Sequence, residues 1–116
     1  METYRNNYKL GRMVASLETD SENIDVLIKY LDWCLMHKEY RSENFIIGIR
    51  LLNNDLVEIG YIASDENPIF EEIEFNIYIN GQLYMMKRFD KAGFEICDVD
   101  IIKLDLERII KEYQGR

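Results

Sequence analysis

Between Ile69 and Phe89, apolar and polar residues alternate with a period of two on either side of Asn80-Gly81. Ile69, Ile73, Phe75, Ile77 and Ile79 share one face of the first arm, and Glu72, Glu74, Asn76 and Tyr78 share the other. This is the pattern of a half-buried strand. Asn-Gly supplies the two positive-φ residues of a type I′ turn, whose twist matches that of the strands it joins. A two-residue turn then places Ile77 opposite Tyr84, Phe75 opposite Met86 and Ile73 opposite Arg88 on one face. Tyr78 meets Leu83 and Glu74 meets Lys87 on the other, so an opposite-charge pair falls in register.

A first hairpin is expected from Asn44 to Ala63. A three-residue loop Asn53-Asn54-Asp55 pairs Leu51 with Val57, Ile49 with Ile59 and Ile47 with Tyr61, and sets Arg50 opposite Glu58. Gly48 and Gly60 interrupt these strands, which marks a bulge or the close approach of another group. Between the hairpins, Ser64 to Pro68 reads as a turn, with Asn67 held extended by the proline.

Upstream the period changes. Leu10, Met13, Val14 and Leu17 fit one face of a helix over residues 4–18. Thr19 followed by Glu22 has capping-box spacing, and a second helix is expected from there to about His37. Its apolar residues form two stripes: Ile24, Leu27, Ile28, Leu31, Cys34 and Leu35 on one side, and Val26, Tyr30 and Trp33 nearly opposite. Asp25, Lys29, Asp32 and Met36 form the exposed strip. Such a helix needs cover from the sheet and from something else: the first helix, a second subunit in a homodimer, or another partner.

Downstream, Asp90 to Gly93 turns the chain. Val99, Ile102, Leu106, Ile109, Ile110 and Tyr113 then fall on one side of a helical wheel and predict a helix capped by Asp98. Ile101 and Leu104 would face away from that side, so a strand over Phe94 to Leu104 followed by a helix from Asp105 stays open. The predicted fold class is α+β: a four-stranded antiparallel meander of two hairpins, with two N-terminal helices, a C-terminal helix, and the helices on one sheet face.

With 116 residues, nearly half of them apolar and one proline, the chain is expected to form a single globular domain over 1–116. The two cysteines, Cys34 and Cys97, match no disulfide framework, and no apolar run approaches the roughly 20 residues of a membrane-spanning helix. These features, with no apolar leader ahead of a cleavage site, predict a reduced, cytoplasmic protein that does not enter a membrane. The formal charge of −8 is uneven: residues 1–41 carry 7 acidic and 6 basic side chains, and residues 42–116 carry 15 and 8. Such a surface repels phosphate polymers and steers basic partners toward it.

Candidate chemistry is sparse. Cys34 and His37 have C-x-x-H spacing, but structural zinc takes four ligands and only Cys97 remains among the soft donors. Asp98-x-Asp100 and Asp105 lack the glycine and the terminal glutamate of an EF-hand loop. No phosphate-cradling glycine loop and no serine elbow occurs. No catalytic residue, cofactor or metal site is therefore predicted.

What remains is surface. Asp65, Glu66, Glu71, Glu72 and Glu74 form an acidic ridge able to face a basic partner protein, or else a solvated edge that discourages aggregation. Tyr30 and Trp33 are candidate interface aromatics. Tyr78, Tyr84, Lys87, Arg88 and Lys91 make an alternative basic-aromatic surface of the kind that stacks single-stranded RNA. The expected function is an inhibitory or regulatory protein–protein interaction module, with RNA binding as the alternative.

Overall fold

The structure, a computed structural model, describes residues 12–16, 20–37, 44–51, 54–63, 72–90, 93–95 and 98–115, with the backbone alone for 12–16 and 20–23. Among these residues the chain runs β1 (Arg12–Ser16), α1 (Asp20–Met36), β2 (Phe45–Arg50), β3 (Leu56–Ala63), β4 (Glu72–Ile79), β5 (Gln82–Asp90) and α2 (Val99–Gln114). The fold is α+β. The strands form one sheet in the order β1-β2-β3-β4-β5, antiparallel from β2 to β5.

The expected pair of N-terminal helices is corrected to one. Residues 12–16 of the predicted first helix are a strand, paired parallel to β2 with Arg12 beside Ile46 and Ser16 beside Arg50; residues 4–11 and 17–18 lie outside the described residues. The physical reason lies in β2. Phe45 through Ile49 are all buried, so β2 is an interior strand whose backbone needs a neighbour on each side. A parallel neighbour requires a crossover, and α1 supplies it.

Both hairpins form, each with a changed register. At the first, Asn54 takes the left-handed conformation, with φ of 72°. Its amide donates to the Leu51 carbonyl at 2.9 Å, and the Leu51 amide donates to the Asp55 carbonyl at 2.9 Å. The three-residue loop therefore sits one residue earlier than expected. Ile49 faces Val57, Ile47 faces Ile59, and Gly48 rather than Arg50 faces Glu58.

At the second hairpin, Asn80 and Gly81 have φ of 52° and 83°, as a type I′ turn requires. Tyr78 faces Leu83 as predicted. A bulge between Ile77 and Tyr78 on the ladder then leaves Tyr84 as an extra residue on β5. Beyond it Ile77 faces Met85, Phe75 faces Lys87, Ile73 faces Phe89, and Glu74 faces Arg88 instead of Lys87.

The two helices share one sheet face. Leu27, Leu31, Cys34 and Leu35 of α1 and Val99, Ile102, Leu106 and Ile110 of α2 pack with Phe45, Ile47, Ile49, Val57, Ile59, Phe75 and Ile77 in a single core. Facing register positions carry the rings Phe45, Tyr61 and Phe75, with centroids 4.9 and 5.3 Å apart. Burial of these side chains is the main source of stability, at roughly 1.5–3 kcal/mol for each large apolar group. The segment from 99 is helical, so the alternative of a strand over 94–104 is set aside. Ile101 and Leu104 remain exposed on the outer side of α2. Asp98 stands at the N-cap without a side-chain bond to the helix; its carboxylate accepts from the Glu95 amide at 2.9 Å.

Candidate functional site

Helix α1 has three sides. Its core side meets the sheet, and a second meets α2, where Asp25 accepts Lys103 Nζ at 3.0 Å. Asp32, expected on an exposed strip, is half-buried on this second side. Burial, then the nearby Asp100 carboxylate, push its pKa above the usual 3.8, and its Oδ1 is buried without a hydrogen bond. The third side points away from α2 and carries Tyr30 and Trp33, which are 46% and 48% exposed. Met36, one turn on, is 65% exposed.

That third side is ordered at its end. The Trp33 and His37 rings lie 4.1 Å apart, and His37 Nδ1–H donates to the Trp33 carbonyl at 2.7 Å. This bond satisfies a carbonyl at the end of the helix and fixes the imidazole beside the indole. Cys34 lies on the core side instead, where burial pushes its thiol pKa up and disfavours the thiolate. The C-x-x-H pair thus diverges. Among the described residues no group of three His, Cys, Asp or Glu side chains is placed to hold a metal ion.

Of the acidic ridge, Asp65, Glu66 and Glu71 lie outside the described residues. Glu72 is exposed at the start of β4, directly across from the exposed Asp90. Glu74 is engaged: Oε1 accepts Arg88 Nε at 2.9 Å, and Oε2 accepts Asn76 Nδ2 at 3.0 Å.

The basic-aromatic set is divided between the two sheet faces. Tyr78 is buried on the face away from the helices, and Arg88, bonded to Glu74, lies on that face too. Tyr84 turns the other way at the bulge and meets Tyr113 of α2 edge-on, with centroids 5.6 Å apart. Lys87 reaches Asp105 of α2 at 2.6 Å. Lys91 lies outside the described residues.

One polar centre escaped the sequence reading. Glu58 is fully buried at 0% exposure on the face away from the helices, with Asn76 and Tyr78 buried beside it on β4. All three have interaction partners. A Cβ at Gly48 would stand 2.7 Å from Glu58 Cγ and 3.0 Å from the Val57 carbonyl oxygen. Glycine at 48 is therefore the seat on which Glu58 lies. The signal was present in the strand-interior glycine, and the shifted register gave it its meaning.

Comparison with known proteins finds no family model, no curated protein and no solved structure that matches the chain.

Proposed function

We propose that this chain is a non-enzymatic protein–protein interaction module, inhibitory or regulatory, acting in the cytoplasm on a partner with a basic surface. The observation that carries this reading is the third side of α1. Tyr30 and Trp33 stay about half exposed there, beside Met36, although their burial would be worth more than that of any other side chains on the helix. The cover expected from a first helix over residues 4–18 is replaced, at 12–16, by a strand in the sheet. A partner surface supplies that cover, and the formal charge of −8 favours a basic one.

The RNA-binding alternative has less support. Tyr78 is buried, Tyr84 and Lys87 turn toward α2, and Arg88 is held by Glu74. Stacking on a sheet requires aromatic and basic groups together on one open face.

The test is capture from lysate by the tagged chain, with bound proteins identified by mass spectrometry. The expected result is a specific partner that is lost with Tyr30→Ala plus Trp33→Ala, while circular dichroism is unchanged. Partner retention by that double variant would overturn the α1 reading. Replacing Glu71, Glu72 and Glu74 by Lys is expected to weaken capture and its salt sensitivity. Light scattering that shows a dimer abolished by Trp33→Ala would make the partner a second copy of the chain.

A further inference from the structure

We infer that Asn80-Gly81 is a covalent modification site held shut by the fold, at which the Asn80 side chain deamidates through a cyclic imide once the bonds on its amide open. The pair is the one Asn-Gly step in the chain. Glycine has no Cβ to hinder its nitrogen from approaching the side chain before it. Asn80 is exposed, so water reaches the site, and among the described residues the Gly81 amide makes no backbone hydrogen bond outside the strand ladder. The nucleophile, the amide carbon and water therefore meet at one surface turn.

The reaction balances with water alone. The Gly81 nitrogen gives its proton to solvent and bonds to Asn80 Cγ; the Cγ–Nδ2 bond breaks, and Nδ2 takes up a proton and leaves as ammonia. A water molecule then hydrolyses one of the two imide C–N bonds, which leaves aspartate at 80 or its β-linked isomer. The fold opposes the first step. Ring closure needs the side chain to rotate until Cγ faces the Gly81 nitrogen, and both ends of the amide are fastened to other elements. Oδ1 accepts the Leu56 amide at 2.9 Å, and Nδ2 donates to Asp55 Oδ1 at 2.9 Å and to the Tyr113 hydroxyl at 3.2 Å. Nδ2 must give up both of its bonds before it can leave.

Neither product can resume the same bonds. In aspartate a carboxylate oxygen stands where Nδ2 donated, so an attraction to Asp55 Oδ1 at 2.9 Å becomes a repulsion between like charges. In the β-linked isomer the main chain gains a methylene inside a two-residue turn whose length sets the register of β5. Either change unties the second hairpin turn from the start of β3 and from α2. The loss of ammonia runs one way, so position 80 keeps a mark of each chain that has opened there.

The test is incubation of the full chain in mildly alkaline buffer, with fragment mass spectrometry to locate conversion at residue 80. Chains unfolded in urea are expected to convert roughly tenfold faster than folded ones, or more. Tyr113→Phe removes the hydroxyl and keeps the ring beside Tyr84; it and Asp55→Ala are each expected to speed folded-state conversion about fivefold, the weight of one hydrogen bond. Gly48→Ala, whose strain lies against Glu58 and Val57, is the control for global unfolding and is expected to leave the rate unchanged. No conversion even in urea would overturn the site. Equal rates in folded and unfolded chains, slower conversion in the Tyr113 and Asp55 variants, or equal acceleration by Gly48→Ala would overturn the local restraint. Asn80→Asp, the stand-in for one product, is expected to lower the urea midpoint at neutral pH and to lower it less in acid, where carboxylates are protonated. An unchanged midpoint would overturn the release of the junction.

Discussion

Asn80 and Leu56 are joined twice. The Asn80 amide donates to the Leu56 carbonyl at 2.8 Å, and the Leu56 amide donates back to Asn80 Oδ1 at 2.9 Å. The turn of the second hairpin is thereby fastened to the start of β3. Its Nδ2 also donates to Asp55 Oδ1 at 2.9 Å and to the Tyr113 hydroxyl at 3.2 Å, so one residue ties together both hairpin ends and α2.

Asn80 has φ of 52°, so its backbone and side-chain roles separate by substitution. Asn80→Gly keeps the left-handed conformation and loses the side-chain bonds, at a cost of about 1 kcal/mol. Asn80→Ala loses the bonds and adds about 1 kcal/mol of backbone strain. Urea denaturation is expected to rank wild type above glycine and glycine above alanine. Equal midpoints for the two variants would remove the strain contribution.

Gly48→Ala is expected to destabilise by about 1–3 kcal/mol, since the new methyl meets Glu58 Cγ at 2.7 Å and the Val57 carbonyl oxygen at 3.0 Å. The carbonyl belongs to a buried strand and has little room to yield. In a double-mutant cycle with Glu58→Ala, the two substitutions are expected to couple, because the shortest contact disappears with the glutamate. Strict additivity would mean that Glu58 does not occupy the space over Gly48.

The raised pKa of Asp32 has a definite sign. Burial and Asp100 favour the protonated form in the folded chain, so between the ordinary 3.8 and the raised folded value the native state binds more protons. This contribution to stability therefore falls as pH rises through that window. Asp32→Asn is expected to raise the melting temperature at pH 7, with the gain shrinking as pH drops toward 4. A gain independent of pH would point to packing instead of charge.

Lys87 and Asp105 pin β5 to α2 at 2.6 Å, with both side chains partly buried. A cycle of Lys87→Met and Asp105→Asn is expected to give a coupling of about 1 kcal/mol, at the upper end for exposed pairs. Lys87→Met alone is the milder change, because Asp105 keeps Arg108 at 3.6 Å. A coupling that vanishes in low salt would exclude the pair as a stabilising contact.

The parts of the fold legible beforehand are those encoded locally. Asn80-Gly81 dictates its own turn, and the wheel from Val99 to Tyr113 dictates its own helix. What escaped depends on distant partners. Met13 and Val14 suit a helix as well as a strand, and the backbone demand of β2, some thirty residues further on, decides between them. The extra residue at Tyr84 leaves no mark in the alternation, since Tyr84, Met85 and Met86 fit either face; the bulge lets Tyr84 reach Tyr113 and Lys87 reach Asp105. For the candidate site, the aromatic pair on α1 was legible from helical spacing. The Glu58 seat was hidden by the hairpin register, which the position of Asn54 sets.

The parallel pairing of β1 with β2 also orders the assembly of the chain in time. Strands β2 to β5 each pair with the strand that follows directly in sequence, whereas Arg12 reaches Ile46 only after α1 has crossed the sheet. Closing that long loop costs more entropy than closing either hairpin, and nothing offsets it until β2 has its other neighbour. β1, which precedes the other four described strands in sequence, is thus expected to dock last. In pulse-labelled refolding, amides of β3 to β5 should gain protection before those of β1, and early protection of β1 would reverse that order.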